Sequence, residues 1–168
     1  MTRFHTVVVA LDFSDSADDA LDAALALTAA DATAHVHLLH VLPDPVPQIW
    51  SDEMPQADLR DIEREWRDGA LKQLAALAAQ RALAPDRVVT AVAVGPAADQ
   101  IARYADAHGA DAVVLGSHGH GRVRRFLLGS VADRLVRLAP CAVLIIPHRT
   151  LRDAGAPAPA AAARTQTP

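Results

Sequence analysis

The chain has 168 residues, enough for one domain with a real core. Apolar residues make up 51% and charged residues 21%, as in a water-soluble globular protein, and a formal net charge of −4 supplies no field that would draw it onto nucleic acid or an anionic membrane. The single cysteine, Cys141, rules out an internal disulfide framework; with a polar start and no apolar run near the ~20 residues of a membrane helix, the expected location is the cytoplasm.

Residues 6–11 (TVVVAL) read as a buried strand. Residues 14–28 then place Ala17, Ala20, Leu21, Ala24 and Leu25 at helical spacing. Ser14 or Ser16 stands where a cap belongs, and Asp15, Asp18 and Asp19 suit the positive N-terminal end. Residues 34–41 (AHVHLLHV) read as a second strand, and 43–55 as a proline-rich loop carrying Trp50. Residues 58–82 form a long amphipathic pattern, with Leu59, Ile62, Trp66, Ala70, Leu74 and Leu77 on one face and an Asp68–Lys72 pair on the other. Residues 88–94 are a third strand. Gly95-Pro96 opens a helix that should end at Gly109 in a left-handed cap. Residues 112–115 are a fourth strand, followed by a glycine-rich loop. A short helix over 130–138 has Ser130 and Asp133 spaced as a capping box and Pro140 as its stop; 142–146 are a fifth strand. Beyond Arg149 the pattern dissolves, and 154–168 is a low-complexity Ala/Pro/Thr run expected to be disordered. The organisation is therefore one domain, 1–149, with a tail, 150–168.

Strands alternating with helices demand a parallel sheet with right-handed crossovers, and strands apolar on both faces demand helices on both sides. The predicted fold class is α/β, a doubly wound five-stranded parallel sheet. Ligands of such sheets sit beyond the carboxyl ends of the strands where strand order reverses, so the loops after the first and fourth strands are the places to look.

After the fourth strand comes Gly116-Ser-His-Gly119-His-Gly121-Arg-Val-Arg-Arg-Phe-Leu-Leu-Gly129-Ser130. Gly116 lets backbone approach a ligand closely, Gly119 and Gly121 permit positive φ, and Gly129-Ser130 stands at a helix N-terminus that favours an anion. The other reading is a flexible surface loop with a helix cap. No GxxxxGK[ST] occurs and the only lysine is Lys72, so a Walker-type site is excluded; no GxGxxG follows the first strand either.

The run from Gly116 to Ser130 resembles the G-x2-G-x9-G-[ST] pattern of the ATP-binding universal stress proteins. Val9-Ala-Leu-Asp12-Phe-Ser-Asp, His40-Val41 and the closing Pro140-Cys-Ala-Val-Leu-Ile-Ile-Pro147 are similar to that family's other signatures, so the resemblance spans 4–148. It implies strand order 3-2-1-4-5, ATP with or without Mg²⁺ between the first and fourth strands, and frequent homodimers. By position it implies that Asp12 borders the nucleotide, Ala10 lines the same pocket, Val41 stands where backbone groups read adenine, and Gly116 lies beside the ribose. Gly119, Gly129, Ser130 and Val131 would offer backbone N–H groups to the phosphates, and Ser130 a hydroxyl. Ala10 stands where some ATP-binding members have proline.

Several residues carry two readings. Asp12 is a ligand contact or a helix-start residue. Arg122, Arg124 and Arg125 grip phosphate oxygens or form a solvated basic loop. His35 and His37 share a strand face and could join His118 or His120 around a metal, although no carboxylate or thiol partner is evident, and the expected metal set is none. Ser14, His118 and Asp12 suggest a nucleophile, but no GxSxG elbow supports it, and no catalytic residue is assigned. Cys141 is expected to be inert packing, and Trp50 a lid residue or a partner contact. Scarcity of carboxylates near the glycine loop favours a regulatory ATP-binding module over an ATP-using enzyme. The fifth strand, short, apolar and last in the sheet, offers an edge for antiparallel pairing in a homodimer. No nucleic-acid or membrane partner is expected.

Overall fold

The structure, a computed structural model, describes residues 4–44, 56–117 and 128–147. Five strands, β1 (Thr6–Ala10), β2 (His35–Leu42), β3 (Val88–Val94), β4 (Ala112–Gly116) and β5 (Ala142–Ile146), form one all-parallel sheet in the order β3-β2-β1-β4-β5. Among the described residues the α-helices are α1 (Asp15–Thr28), α2 (Gln56–Gln80), α3 (Ala97–Ala107) and α4 (Ser130–Leu138). The expected fold and strand order both hold.

β1 lies at the centre, and its period of two divides the core. Val7 and Val9 pack with Ala20, Leu21, Ala24 and Leu74 on the α1 and α2 face; Val8 packs with Ile101, Ala105 and Leu135 on the α3 and α4 face. All three valines are fully buried, and each contributes roughly 1.5–3 kcal/mol of apolar burial. A strand buried on both faces reads as an unbroken apolar run, which is why TVVVA carries no alternation.

The helix ends differ in chemistry. α3 closes in a Schellman turn, with Ala110 N–H on the Ala105 carbonyl (2.9 Å), Gly109 N–H on the Asp106 carbonyl (3.1 Å), and Gly109 at φ +58°, as expected of that glycine. α2 closes in the same turn, with Leu83 N–H on the Ala78 carbonyl (3.0 Å), but its left-handed residue is Ala82, φ +49°.

Three local expectations need correcting. Ser130 and Asp133 form no capping box: Gly129 is the N-cap, Ser130 is already helical, and the Asp133 carboxylate pairs with Arg137 one turn on. Ser14 occupies the N-cap of α1 without a side-chain cap bond, because its hydroxyl turns back to Asp12. Trp66, placed on the buried stripe of α2, is 43% exposed. Leu74, Leu77 and Ala78 reach the core, while Trp66 lines a surface groove with Phe13, His40 and Leu42.

Arg67, also on α2, donates to the Val92 carbonyl at 2.8 Å, covering part of the open edge of β3.

Candidate functional site

β1 pairs with β2 on one side and β4 on the other, so the chain reverses its winding direction between β1 and β4. Beyond the carboxyl ends of these strands lies a pocket of about 300 Å³, at the small end of the ~300–1,000 Å³ typical of ligand sites. Ala10, Asp12, Val41, Gly116, Gly129, Ser130 and Val131 all line it. Gly119, Gly121, Arg122, Arg124, Arg125, His118, His120, Trp50 and the tail lie outside the described residues.

One half of the pocket is apolar: Leu39 and Val41 from β2, Leu115 from β4, and Ala97 and Ile101 from α3. Sequence reasoning missed Leu11, Leu39, Ala97, Ile101, Leu115, Ser117 and Ala132. The two from α3 had a signal in Gly95-Pro96, which starts a helix at the same edge of the sheet; the rest read simply as core.

The other half is the first turn of α4. Asp133 N–H makes the first intrahelical bond, to the Gly129 carbonyl at 2.9 Å, so the N–H groups of Ser130, Val131 and Ala132 have no acceptor inside the helix. Gly129 N–H is spent within the fold. It bonds the Ser117 carbonyl at 3.0 Å and draws the two ends of the glycine loop together. Gly129 contributes an N-cap without a side chain, and Ala132, whose N–H has no acceptor inside the helix, also lines the pocket.

Gly116 also has a close neighbour within the fold. A Cβ on it would stand 2.9 Å from both Cβ and the carbonyl oxygen of Ser16, in the first turn of α1. The glycine lets that helix approach β4, besides lining the pocket.

Asp12 starts α1 and also lines the pocket. Its Oδ1 accepts from Ser14 N–H (3.1 Å) and Ser14 Oγ (2.5 Å), starting α1, while the residue lines the pocket. It is the only charged residue among the lining residues described. Ser14 Oγ lies 3.0 Å from Ser16 Oγ, so its bonds are spent on structure.

Near the mouth, Arg134 of α4 grips Asp99 of α3 with two bonds of 2.9 and 3.0 Å. That hydrogen-bonded guanidinium holds the Asp99 carboxyl below its usual range.

The other sequence candidates lie elsewhere. His37 is buried in β2 with Nδ1 3.0 Å from the Tyr104 hydroxyl, and the His108 ring stacks on Tyr104 at 3.9 Å. Burial, then the nearby charges of His108 and His35, lowers the His37 pKa. Among the described residues no three His, Cys, Asp or Glu side chains gather as a metal site. Cys141 is partly buried, and burial followed by the Asp111 charge pushes its thiol up, away from the reactive thiolate. No helix among the described residues is long and apolar enough to cross a membrane.

Residues 3–147 match the model of the universal stress protein family. The chain is 31% identical over 147 residues to universal stress protein YxiE of Bacillus subtilis, covering 85% of this chain and 99% of that one. Among solved structures, universal stress protein UspA of Lactobacillus plantarum superposes with a TM-score of 0.67 at 26% identity, over 87% of this chain and 99% of that one. A universal stress protein crystallised in complex with cAMP superposes with a TM-score of 0.62 at 27% identity, over 88% and 99%.

Proposed function

Because the chain belongs to the universal stress protein family, we propose that it is a regulatory ATP-binding protein whose pocket between β1 and β4 holds the nucleotide. The observation that carries this reading is the junction of two unlike surfaces in one pocket: an apolar wall from Leu39, Val41, Ile101 and Leu115, and a helix N-terminus whose first N–H groups have no acceptor inside the helix. The first suits a planar base. The second suits phosphate, through donors and dipole together. A related structure holding cAMP supports an adenine nucleotide as the ligand class.

In this reading Val41 backbone meets adenine, Ala10 and Gly116 flank the ribose, and Asp12 borders the nucleotide. Ser130, Val131 and Ala132 N–H groups, the Ser130 hydroxyl and, by its place in the motif, Gly119 meet the phosphates. Magnesium is commonly held by one or two carboxylates and the substrate phosphates, a demand Asp12 is placed to meet. Gly129 acts by capping and by tying the loop to Ser117.

The expected ATP affinity is micromolar, roughly −8 kcal/mol. Calorimetry with millimolar ATP and Mg²⁺ that gives neither heat nor a thermal shift would sink the reading. Gly119→Val should weaken ATP binding more than ~100-fold, about 3 kcal/mol, while the melting temperature stays near the parent value. Gly121→Ala, outside the spaced pattern, should do much less. Steady-state ADP release above a slow background would instead favour an ATP-using enzyme.

The same reading includes a homodimer through β5. That strand ends the sheet, Ala142 on it is exposed, and Val136 (54% exposed) and Leu138 (43%) of α4 leave apolar surface in solvent. Light scattering at tens of micromolar should give twice the chain mass, and a monomer would count against it.

A further inference from the structure

We propose that His40 is a positioning residue, whose ring holds the β1–α1 loop in the conformation that presents Asp12 to the pocket. The proposal rests on the nucleotide reading for what Asp12 meets, and on the chain's own geometry for how Asp12 is held.

The loop is strained at one residue. Phe13, directly after Asp12, has φ +61°. A side chain with no polar group to bond its own backbone gains nothing locally from that region, so its surroundings must hold it there.

His40 supplies restraints on both sides of Asp12. Before it, His40 Nδ1 lies 2.7 Å from the Leu11 carbonyl oxygen. A carbonyl only accepts, so Nδ1 carries the proton and donates. After it, the Phe13 ring lies over the His40 ring, with centroids 4.6 Å apart and planes 35° apart. The remaining freedom of Asp12 is taken by Ser14, whose N–H and hydroxyl both bind Oδ1.

His40 does this without lining the pocket. Its neighbour Val41 does line it, and successive strand residues face opposite sides of the sheet, which places His40 behind the loop, with Phe13, Leu42 and Ala70 around a separate groove. An effect of His40 on nucleotide affinity therefore has to pass through the Leu11–Asp12–Phe13 backbone.

Two variants of the full chain separate the restraints. His40→Phe keeps a ring under Phe13 and removes the donor. His40→Asn keeps an N–H donor near the position of Nδ1 and removes the ring. The probes are ATP with Mg²⁺ by calorimetry and the Ser14 amide resonance by NMR, which senses the Asp12 carboxylate in the nucleotide-free protein. His40→Phe should weaken ATP about tenfold and move the Ser14 amide, and His40→Asn should recover part of the affinity. A purely structural role would lower the melting temperature while leaving the Ser14 amide and the ATP affinity at parent values, and that result overturns the proposal. If the parent binds no ATP, the nucleotide reading fails, and the Ser14 amide in His40→Phe still decides whether His40 sets Asp12. If His40→Phe does not fold, His40→Asn decides: a displaced Ser14 amide supports the proposal, and an unmoved one with parental ATP affinity overturns it.

Discussion

The two ends of the sheet treat their polar groups in opposite ways. At the amino end the protein satisfies them itself. The Asp111 carboxylate accepts from His5 N–H (2.7 Å) and Thr6 N–H (2.9 Å), joining the starts of β1 and β4. Arg87 reaches across to the carbonyls of Ala34 and Asp31 (3.0 Å each) and Thr28 (3.4 Å), placing a cation at the C-terminal end of α1. His37 and Tyr104 bond each other. At the carboxyl end the first turn of α4 keeps donors without helical partners, beside a pocket. The contrast follows from right-handed βαβ winding: each helix returns antiparallel to its strand, so helix N-termini gather at the carboxyl edge and C-termini at the other. One edge collects helix carbonyls, which Arg87 meets at the end of α1, and the other collects helix N–H groups.

The largest expected effect tests whether the pocket edge is purely for ligand. Gly116→Ala pushes a methyl to 2.9 Å from the Ser16 backbone and should cost about 2–3 kcal/mol without any nucleotide present. Chemical denaturation reads this. A variant as stable as the parent would mean that α1 shifts freely and that Gly116 serves the pocket alone.

Arg87→Ala strips the donor from three carbonyls at the closed edge and should cost about 2 kcal/mol. ATP affinity should not move. A change in affinity comparable to the loss of stability would show that the two edges are coupled.

The buried His37 gives the closed edge a pH dependence. Its folded pKa is lowered from 6.5, so folding favours the neutral ring. Its contribution is complete above pH 6.5 and is lost as the pH falls from there toward the lower folded value. The groups facing it are Tyr104, His108 and His35. Melting temperatures from pH 8 to pH 5 should fall less steeply for His37→Gln than for the parent, and parallel curves would remove His37 from the account.

The smallest change is a gain. Ala82 holds in α2 the left-handed position that Gly109 holds in α3. Ala82→Gly should stabilise by about 0.5–1 kcal/mol, by relieving the Cβ strain. Gly109→Ala should lose a similar amount, and both are measured by urea midpoint.

Much of the candidate site was legible before the fold was known, because its residues sit at sequence landmarks. Asp12 follows a buried strand, and Gly116 and Ser130 bracket a spaced glycine motif at a helix start. What stayed hidden was the partner across space. Leu39 and Ile101 look like any core residue until β2 and α3 meet at the pocket. Trp66 fits the helical stripe, yet in the fold it is 43% exposed beside a surface groove.

Local chemistry, period-two and period-3.6 patterns and turn residues are written along the chain, and they determined the element types, the parallel sheet and the edge on which the pocket lies. Tertiary structure alone decided how shared groups are spent: Gly129 N–H on Ser117 rather than on a ligand, the Ser14 hydroxyl on Asp12 rather than on its own helix, and Gly116 against Ser16. Each of these is a competition among partners brought within a few ångströms by folding. A donor's nearest acceptor is a property of distance in space, which spacing along the chain does not encode.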